Sequence, residues 1–261
     1  MSETIGTEYV QLKQAVYREY SRSYDEDRKR FVGGRGLAER VDWALEPLTR
    51  GSLSQEARLL DLGCGSGAVI ARALELHLSL QAPVGLDLTA EMLALARNRI
   101  GNSCGLVQAN AQVSPVAGLP LQDSRFDLIT SLNLIQELPR VSIPGLLLEV
   151  CRVLKPGGRL RAVIPSMVGE NPSSIAFQRM ALERAAMDFL FPGELEDLLN
   201  RETGLTDQRF QLGTSSAAAA AAGGETRFSL FARVMDDLRD QGLDPWSVTQ
   251  GVMFFSARKP A

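Results

Sequence analysis

The segment LLDLGCGSG at residues 59–67 constrains the fold more than any other stretch of this chain. An apolar run long enough for one buried strand passes straight into Gly63, Cys64, Gly65, Ser66 and Gly67, and a helical segment follows. Glycines permit a tight turn and a close approach of backbone to a ligand. A strand, a glycine turn and a helix start together aim backbone N–H groups and a partial positive charge at one point, suited to a carboxylate or a phosphate.

The alternation of strand and helix continues beyond this unit. Short apolar runs at 58–62, 84–88, 105–109, 126–131 and 158–164 predict strands, with helices between them at 66–77, 90–100 and 143–154. Thr89 introduces the second helix, with Glu91 in its first turn. Lys155, Pro156, Gly157 and Gly158 stop the third and predict a turn. Further helices are expected at 173–190 and 191–204, and strands at 207–212 and 250–257. The fold class is therefore α/β, a doubly wound, mostly parallel seven-stranded sheet whose last strand is antiparallel.

Ahead of the sheet, residues 8–24 and 35–48 carry apolar and aromatic residues at helical spacing, separated by Gly33, Gly34 and Gly36. They predict a helical N-terminal cap over residues 1–50. The binding domain is expected over 51–261, with helical inserts at about 165–190 and 214–249. The second insert opens with TSSAAAAAAGG at 214–224, where the alanine run at 217–222 is a natural loop or a replaced one and is assigned no chemistry. A helix with Phe228, Phe231, Met235 and Leu238 on one side follows.

Composition removes several classes of function. Of 261 residues, 45% are hydrophobic and 23% charged, which is ordinary globular usage. A net charge of −3, with Lys and Arg scattered among acids, offers no basic face for nucleic acid. No run approaches the roughly 20 apolar residues that span a bilayer, and MSETIGTEYV has no signal-like pattern, so a cytoplasmic protein without stable membrane insertion is expected. Cys64, Cys104 and Cys151 lack paired spacing and His77 is the only histidine, so neither a disulfide framework nor a metal site is expected.

The glycine loop alone fits two cofactors. Gly63, Gly65 and Ala68 also satisfy the dinucleotide pattern G-x-G-x-x-G/A, with Asp87 about 20 residues on. An NAD-dependent oxidoreductase is thus a rival. Asp61 argues against it, because a carboxylate at the strand end repels a pyrophosphate and attracts the ammonium of a methionine moiety.

DLGCGSG followed by GLDLTAEMLALAR resembles the first two motifs of class I S-adenosylmethionine-dependent methyltransferases, and RFDLITSLNLIQELP and RVLKPGGRL resemble the later ones. The matches cover about residues 57–164 and are nearest in type to the ubiquinone and menaquinone C-methyltransferases. The resemblance implies S-adenosylmethionine as cofactor, held by Asp61, Gly63, Cys64, Gly65 and Gly67. It assigns the ribose hydroxyls to Asp87 and the adenine side to Leu88. Asn110 and Ala111 stand where the family usually has an acid and an alanine, so Asn110 accepts from the adenine amino group without the charge. Asn133, after the fourth strand, is placed near the reacting methyl. Cys64 needs no chemical role in methyl transfer, since a small side chain fits its loop.

The expected reaction is transfer of a methyl group to a small organic acceptor, with O, N, C and S all open as the receiving atom. Alignment does most of the work, and a general base is needed only for acidic acceptors. Base candidates are Tyr20, Tyr24, Glu137 and Glu170, with Glu137 first. His77 falls at the wrong end of its helix. Tyr17, Tyr20 and Tyr24 form a stripe similar to the Y-x-x-x-Y-D element that begins many such methyltransferases, and Tyr20 and Tyr24 are expected in a lid. A catalytically silent cofactor-binding partner protein is the second rival.

Overall fold

The computed structural model describes residues 2–25, 36–54, 56–112, 118–216 and 229–261. The elements are α1 (Ser2–Tyr20), α2 (Leu37–Thr49), β1 (Leu59–Leu62), α3 (Ala68–Glu75), β2 (Val84–Asp87), α4 (Ala90–Ile100), β3 (Gly105–Gln108), β4 (Phe126–Leu132), α5 (Ile143–Val153), β5 (Leu154–Met167), α6 (Pro172–Ala185), α7 (Pro192–Glu202), β6 (Thr206–Ser216), α8 (Ser229–Asp240) and β7 (Thr249–Arg258). Four features that carried sequence expectations lie outside the described residues: Gly33 and Gly34, most of the QVSPVAG segment, the alanine run at 217–222, and Phe228.

The seven strands form one sheet in the order β3-β2-β1-β4-β5-β7-β6. The pairings among β1 to β5 are parallel, and β7 runs antiparallel between β5 and β6. The order reverses between β1 and β4, and that switch point is where ligands bind in open α/β sheets, outside the carboxyl ends of the strands.

Successive residues of β1 feed opposite cores. Leu60 and Leu62 pack with Leu86, Ile129 and the inner faces of α5 and α7, while Leu59 packs with Leu128, α2 and α3. Both faces are covered, so the strand reads as an unbroken apolar run rather than an alternation. Burial of Leu45 and Leu48 puts α2 in the helical layer beside α3, against β4 and β5. Of the two segments expected to form a cap, it is α1 that lies outside the sheet's layers, against α4 and α6.

Four expected boundaries move for local reasons. The helix expected at 66–77 begins only at Ala68, because Gly67 takes the left-handed conformation at its N-cap. The turn expected at Lys155–Gly158 lies inside β5: Phe126 pairs with Leu154 and Leu128 with Arg159, so the extra residues bulge from the ladder, with Gly157 at φ +78°. The helix expected over 173–190 ends at Ala185, where Ala186 turns left-handed. Thr214–Ser216 extend β6 instead of opening an insert.

Candidate functional site

The carboxyl ends of β1, β2 and β4 meet at a cleft of about 680 Å³, open mouth included. Gly63, Gly65, Asp87, Leu88, Asn110, Ala111, Asn133 and Glu137 line it, together with Tyr24 from the N-terminal segment. A smaller recess against the same loop is lined by Asp61, Cys64, Ser66 and Asn133. Gly67 lines neither and works from behind: a β-carbon there would stand 3.2 Å from Ala96 of α4.

The loop is held by its neighbours. Gly63 and Cys64 both donate their N–H to the Leu86 carbonyl, at 2.8 and 2.9 Å, and Gly65 N–H donates to Asp87 Oδ2 at 2.9 Å. Gly63 and Gly65 have φ of +73° and +52°, where side chains are strained, and a β-carbon would lie 3.1 Å from Leu134 or 3.0 Å from Tyr24 Oη. Cys64 sits with its Sγ over Gly85, and burial, with Asp61 and Asp87 nearby, pushes the thiol's pKa up. It is an inert filler there.

Two carboxylates, Asp61 buried and Asp87 half-buried, set the electrostatics. Asp61 is 2% exposed, and its one partner among the described residues is Thr130, whose hydroxyl donates at 2.8 Å. Burial first, and Asp87 second, push its carboxyl up to about 7 against that hydrogen bond. Asp87 is also raised by burial, against donations from Thr89 and Gly65. A glycine cradle beside a buried acid with no cationic partner fits a ligand that carries a positive group and hydroxyls, and it opposes a pyrophosphate.

Other predicted residues are drawn in less directly. Asn110 Oδ1 accepts from the Gln112 N–H at 2.8 Å, so its carbonyl already serves its own loop. Asn133 has φ +58°, and its Oδ1 accepts from Arg40 Nη1 at 3.4 Å. Glu137 is buried, and its Oε2 lies 2.6 Å from Lys13 Nζ, so its charge is already met by a lysine. Tyr20 packs edge-on against Tyr24 at 5.0 Å between ring centroids but is not among the cleft-lining residues, whereas Tyr17 is. Glu170 and His77 are exposed and away from the cleft.

Sequence reading missed Tyr9, Lys13 and Arg40. Tyr9, Lys13 and Tyr17 follow at four-residue spacing on α1 and all line the cleft. The signal for Lys13 was a cation within that aromatic stripe. For Arg40, 6% exposed, it was a cation among the buried positions of α2. The N-terminal segment is fastened over the loop by Asp25, which accepts from Ser66 Oγ at 2.6 Å and pairs with Arg99 at 2.6 Å.

Among the described residues, no group of three or more His, Cys, Asp or Glu is placed to hold a metal, and no helix is long and apolar enough to cross a membrane.

Residues 59–158 match the family described as a methyltransferase domain. The chain is 36% identical over 122 residues to a demethylmenaquinone methyltransferase of Lactiplantibacillus plantarum, covering 45% of this chain and 49% of the relative. It is 30% identical over 164 residues to a ubiquinone biosynthesis O-methyltransferase of Xanthomonas oryzae, covering 58% of this chain and 64% of that one. The chain spans about half the length of the curated relatives it matches. Among solved structures, a phosphoethanolamine N-methyltransferase of Haemonchus contortus, in complex with phosphomonomethylethanolamine and S-adenosylhomocysteine, has the same fold. Its TM-score is 0.63 at 19% identity, over 89% of this chain and 55% of that one. Residues 59–158 of this chain thus match the methyltransferase-domain family, on a fold shared with solved methyltransferases.

Proposed function

We propose that the protein transfers the methyl group of S-adenosylmethionine to a small organic acceptor. The observation that carries this reading is Asp61, a buried acid at the strand end with no cationic partner among the described residues, beside a glycine cradle. In this reading Asp61 takes the ammonium, Asp87 the ribose hydroxyls, and Leu88, Asn110 and Ala111 border the adenine. Gly63, Gly65 and Gly67 let the backbone approach, Cys64 fills the space behind them, and Asn133 faces the reacting end.

When bound, S-adenosylmethionine supplies a methyl group on a positively charged sulfur, which is already activated for displacement. The protein's share is alignment and exclusion of water. Leu134, Leu138, Tyr17 and Tyr24 supply apolar walls for that purpose. Glu137 is the base where the acceptor must lose a proton, and Tyr20 and Tyr24 belong to a lid formed by α1 and the residues that follow it to Asp25. A cytoplasmic location is part of the same proposal, to be tested by cell fractionation.

Calorimetric titration with S-adenosylhomocysteine and with NADH, followed by mass-spectrometric detection of methyl transfer across O, N, C and S acceptors, tests the proposal. Binding of NADH without S-adenosylhomocysteine refutes it in favour of an oxidoreductase. Binding of S-adenosylhomocysteine without transfer to any acceptor assigns a cofactor-binding partner role instead.

A further inference from the structure

Scattered along the sequence, arginines are gathered by the sheet on its face towards α2. In the ladder Arg161 of β5 stands opposite Ser256 of β7, and Ser256 stands opposite Arg209 of β6. Arg159 stands opposite Arg258 in the next row on the same side. Arg161 identifies that side: its guanidinium lies 4.5 Å from the centre of the Trp43 ring and 2.8 Å from Glu46 Oε2, both on α2. Phe210 and Phe255 pack against each other on the opposite side, which leaves Arg209 and Ser256 facing the same way as Arg161. Two residues along β5 cover about 7 Å, and β5 and β6 lie two strand spacings apart, about 10 Å. None of these side chains lines the cleft or its smaller recess, and α2, packed over β4 and β5, separates them from it.

The charges of this face are poorly matched. Glu46 divides its carboxylate between Arg161 and Arg50, the latter at 3.0 Å. Neither Arg159 nor Arg209 has a hydrogen bond or an ion pair among the described residues, and Arg258 has only the Gly157 carbonyl, 3.4 Å from its Nε. The Ser256 hydroxyl, half-buried between Arg161 and Arg209, also has no partner among them. Burial pushes the Arg161 guanidinium below its ordinary value, Glu46 pulls it back, and the charges of Arg159 and Arg209 push it down again. Like charges placed directly across a sheet destabilise it. One carboxylate cannot balance five arginines, and the repulsion is relieved when a multiply charged anion enters between the rows.

We infer that this face is a binding site for a small, free polyanion carrying two or three linked phosphate groups. Guanidinium groups meet phosphate oxygens with paired N–H donors. Arg161 and Arg209 take the anion from its two sides, the Ser256 O–H donates to an oxygen between them, and Arg159 and Arg258 meet the charge that extends into the second row. A single carboxylate would leave most of these arginines unmet. A nucleic acid strand would run past an area of about 7 by 10 Å onto the surface of a chain whose net charge is −3. A lipid layer would meet no apolar anchor from β6, because the exposed Leu212 stands opposite Met253 on the other side of the sheet. The inference is independent of the reaction carried out in the cleft.

The probe is inorganic triphosphate, titrated calorimetrically into the full chain at physiological ionic strength. One equivalent should bind. The double variant Arg159→Gln with Arg209→Gln breaks no hydrogen bond or ion pair among the described residues. It should keep its circular dichroism spectrum, melt no lower than the unaltered protein, and bind triphosphate at least tenfold more weakly. Arg201→Gln with Arg239→Gln removes the same charge from α7 and α8 and should leave binding within twofold. No binding by the unaltered protein, or equal weakening in both double variants, overturns the inference. So does competition between triphosphate and S-adenosylhomocysteine, which would place the anion in the cleft. Should the first double variant fail to fold, Arg209→Gln alone decides, and an unchanged affinity overturns the inference. Phosphatidylglycerol vesicles or single-stranded DNA that bind through these arginines where triphosphate does not would give the face to a membrane or a nucleic acid and overturn it as well.

Discussion

Gly65 donates its backbone N–H to Asp87 Oδ2 at 2.9 Å, so the turn after β1 and the acid ending β2 are built as one unit. Thr89 fixes the other oxygen of the same carboxylate through its N–H and its hydroxyl, both at 3.0 Å. The orientation of Asp87 is therefore set before any ligand arrives, and a ligand's hydroxyls need only meet the remaining lone pairs.

Removing that carboxylate should show as lost affinity. Asp87→Ala is expected to weaken S-adenosylhomocysteine binding roughly 5- to 150-fold, which corresponds to about 1–3 kcal/mol for hydrogen bonds to a charged group. Isothermal titration calorimetry measures it. An affinity within a factor of two of the unaltered protein would move the ribose site elsewhere.

Asp61 ties binding to pH. Its carboxyl is pushed up to about 7, mainly by burial, from an ordinary value near 4. Because the folded value is raised, its contribution to the stability of the unliganded protein is present below about pH 4 and fades as pH rises through 7. A bound ammonium favours the ionised form, so affinity runs the other way. It should be full above pH 7 and fall towards tenfold per unit below it, with close to one proton released on binding at pH 6. Calorimetry in buffers of different ionisation enthalpy reads that proton. Asp61→Asn should bind more weakly and flatten the profile; an equal slope in the variant would assign the pH dependence to another group.

The parts of the site that sequence reading reached are those whose signal is local. Asp61, the glycines and Asp87 fall within one β–loop–α–β stretch, where strand ends and turn glycines are adjacent in sequence. Lys13 and Arg40 come to the site across separations of 124 and 93 residues, and nothing near either in sequence marks its partner. Tyr17 lines the cleft and Tyr20 does not, for a related reason. Spacing locates a stripe on α1, while the docking of α1 against α4 and α6 decides which members face the cleft. The start of β5 was misplaced because Pro156, Gly157 and Gly158 signal a turn equally well whether it closes a loop or bulges from a strand.

Gly65→Ala should act through Tyr24. The added β-carbon has to sit at φ +52° and 3.0 Å from the Tyr24 hydroxyl. The backbone penalty is of order 1–2 kcal/mol, and the displaced ring opens the wall of the cleft. The expected outcome is a lower melting temperature together with at least tenfold weaker S-adenosylhomocysteine binding. Gly193→Ala is the control, since nothing lies within 4 Å of its β-carbon position and its φ is not positive. It should leave binding unchanged. Equal effects of the two substitutions would remove the special status of the loop.

Cys64 and Gly85 make a sharper test, because they are complementary in volume and independent of any ligand. A β-carbon on Gly85 would stand 2.9 Å from Cys64 Sγ and 3.1 Å from Leu106. Gly85→Ala should therefore destabilise the fold by about 1–3 kcal/mol, the usual cost of overpacking. Cys64→Ala removes the sulfur and leaves a small void, with a modest loss of its own. In the double variant the new methyl occupies the space that the sulfur leaves, so the two losses should not add, and a positive coupling of about 1 kcal/mol is expected in urea melts. Additive losses would mean that the sulfur does not fill the space over Gly85. The same Cys64→Ala protein should keep S-adenosylhomocysteine affinity within threefold, because a thiol held as a buried neutral filler contributes shape to the loop and no chemistry.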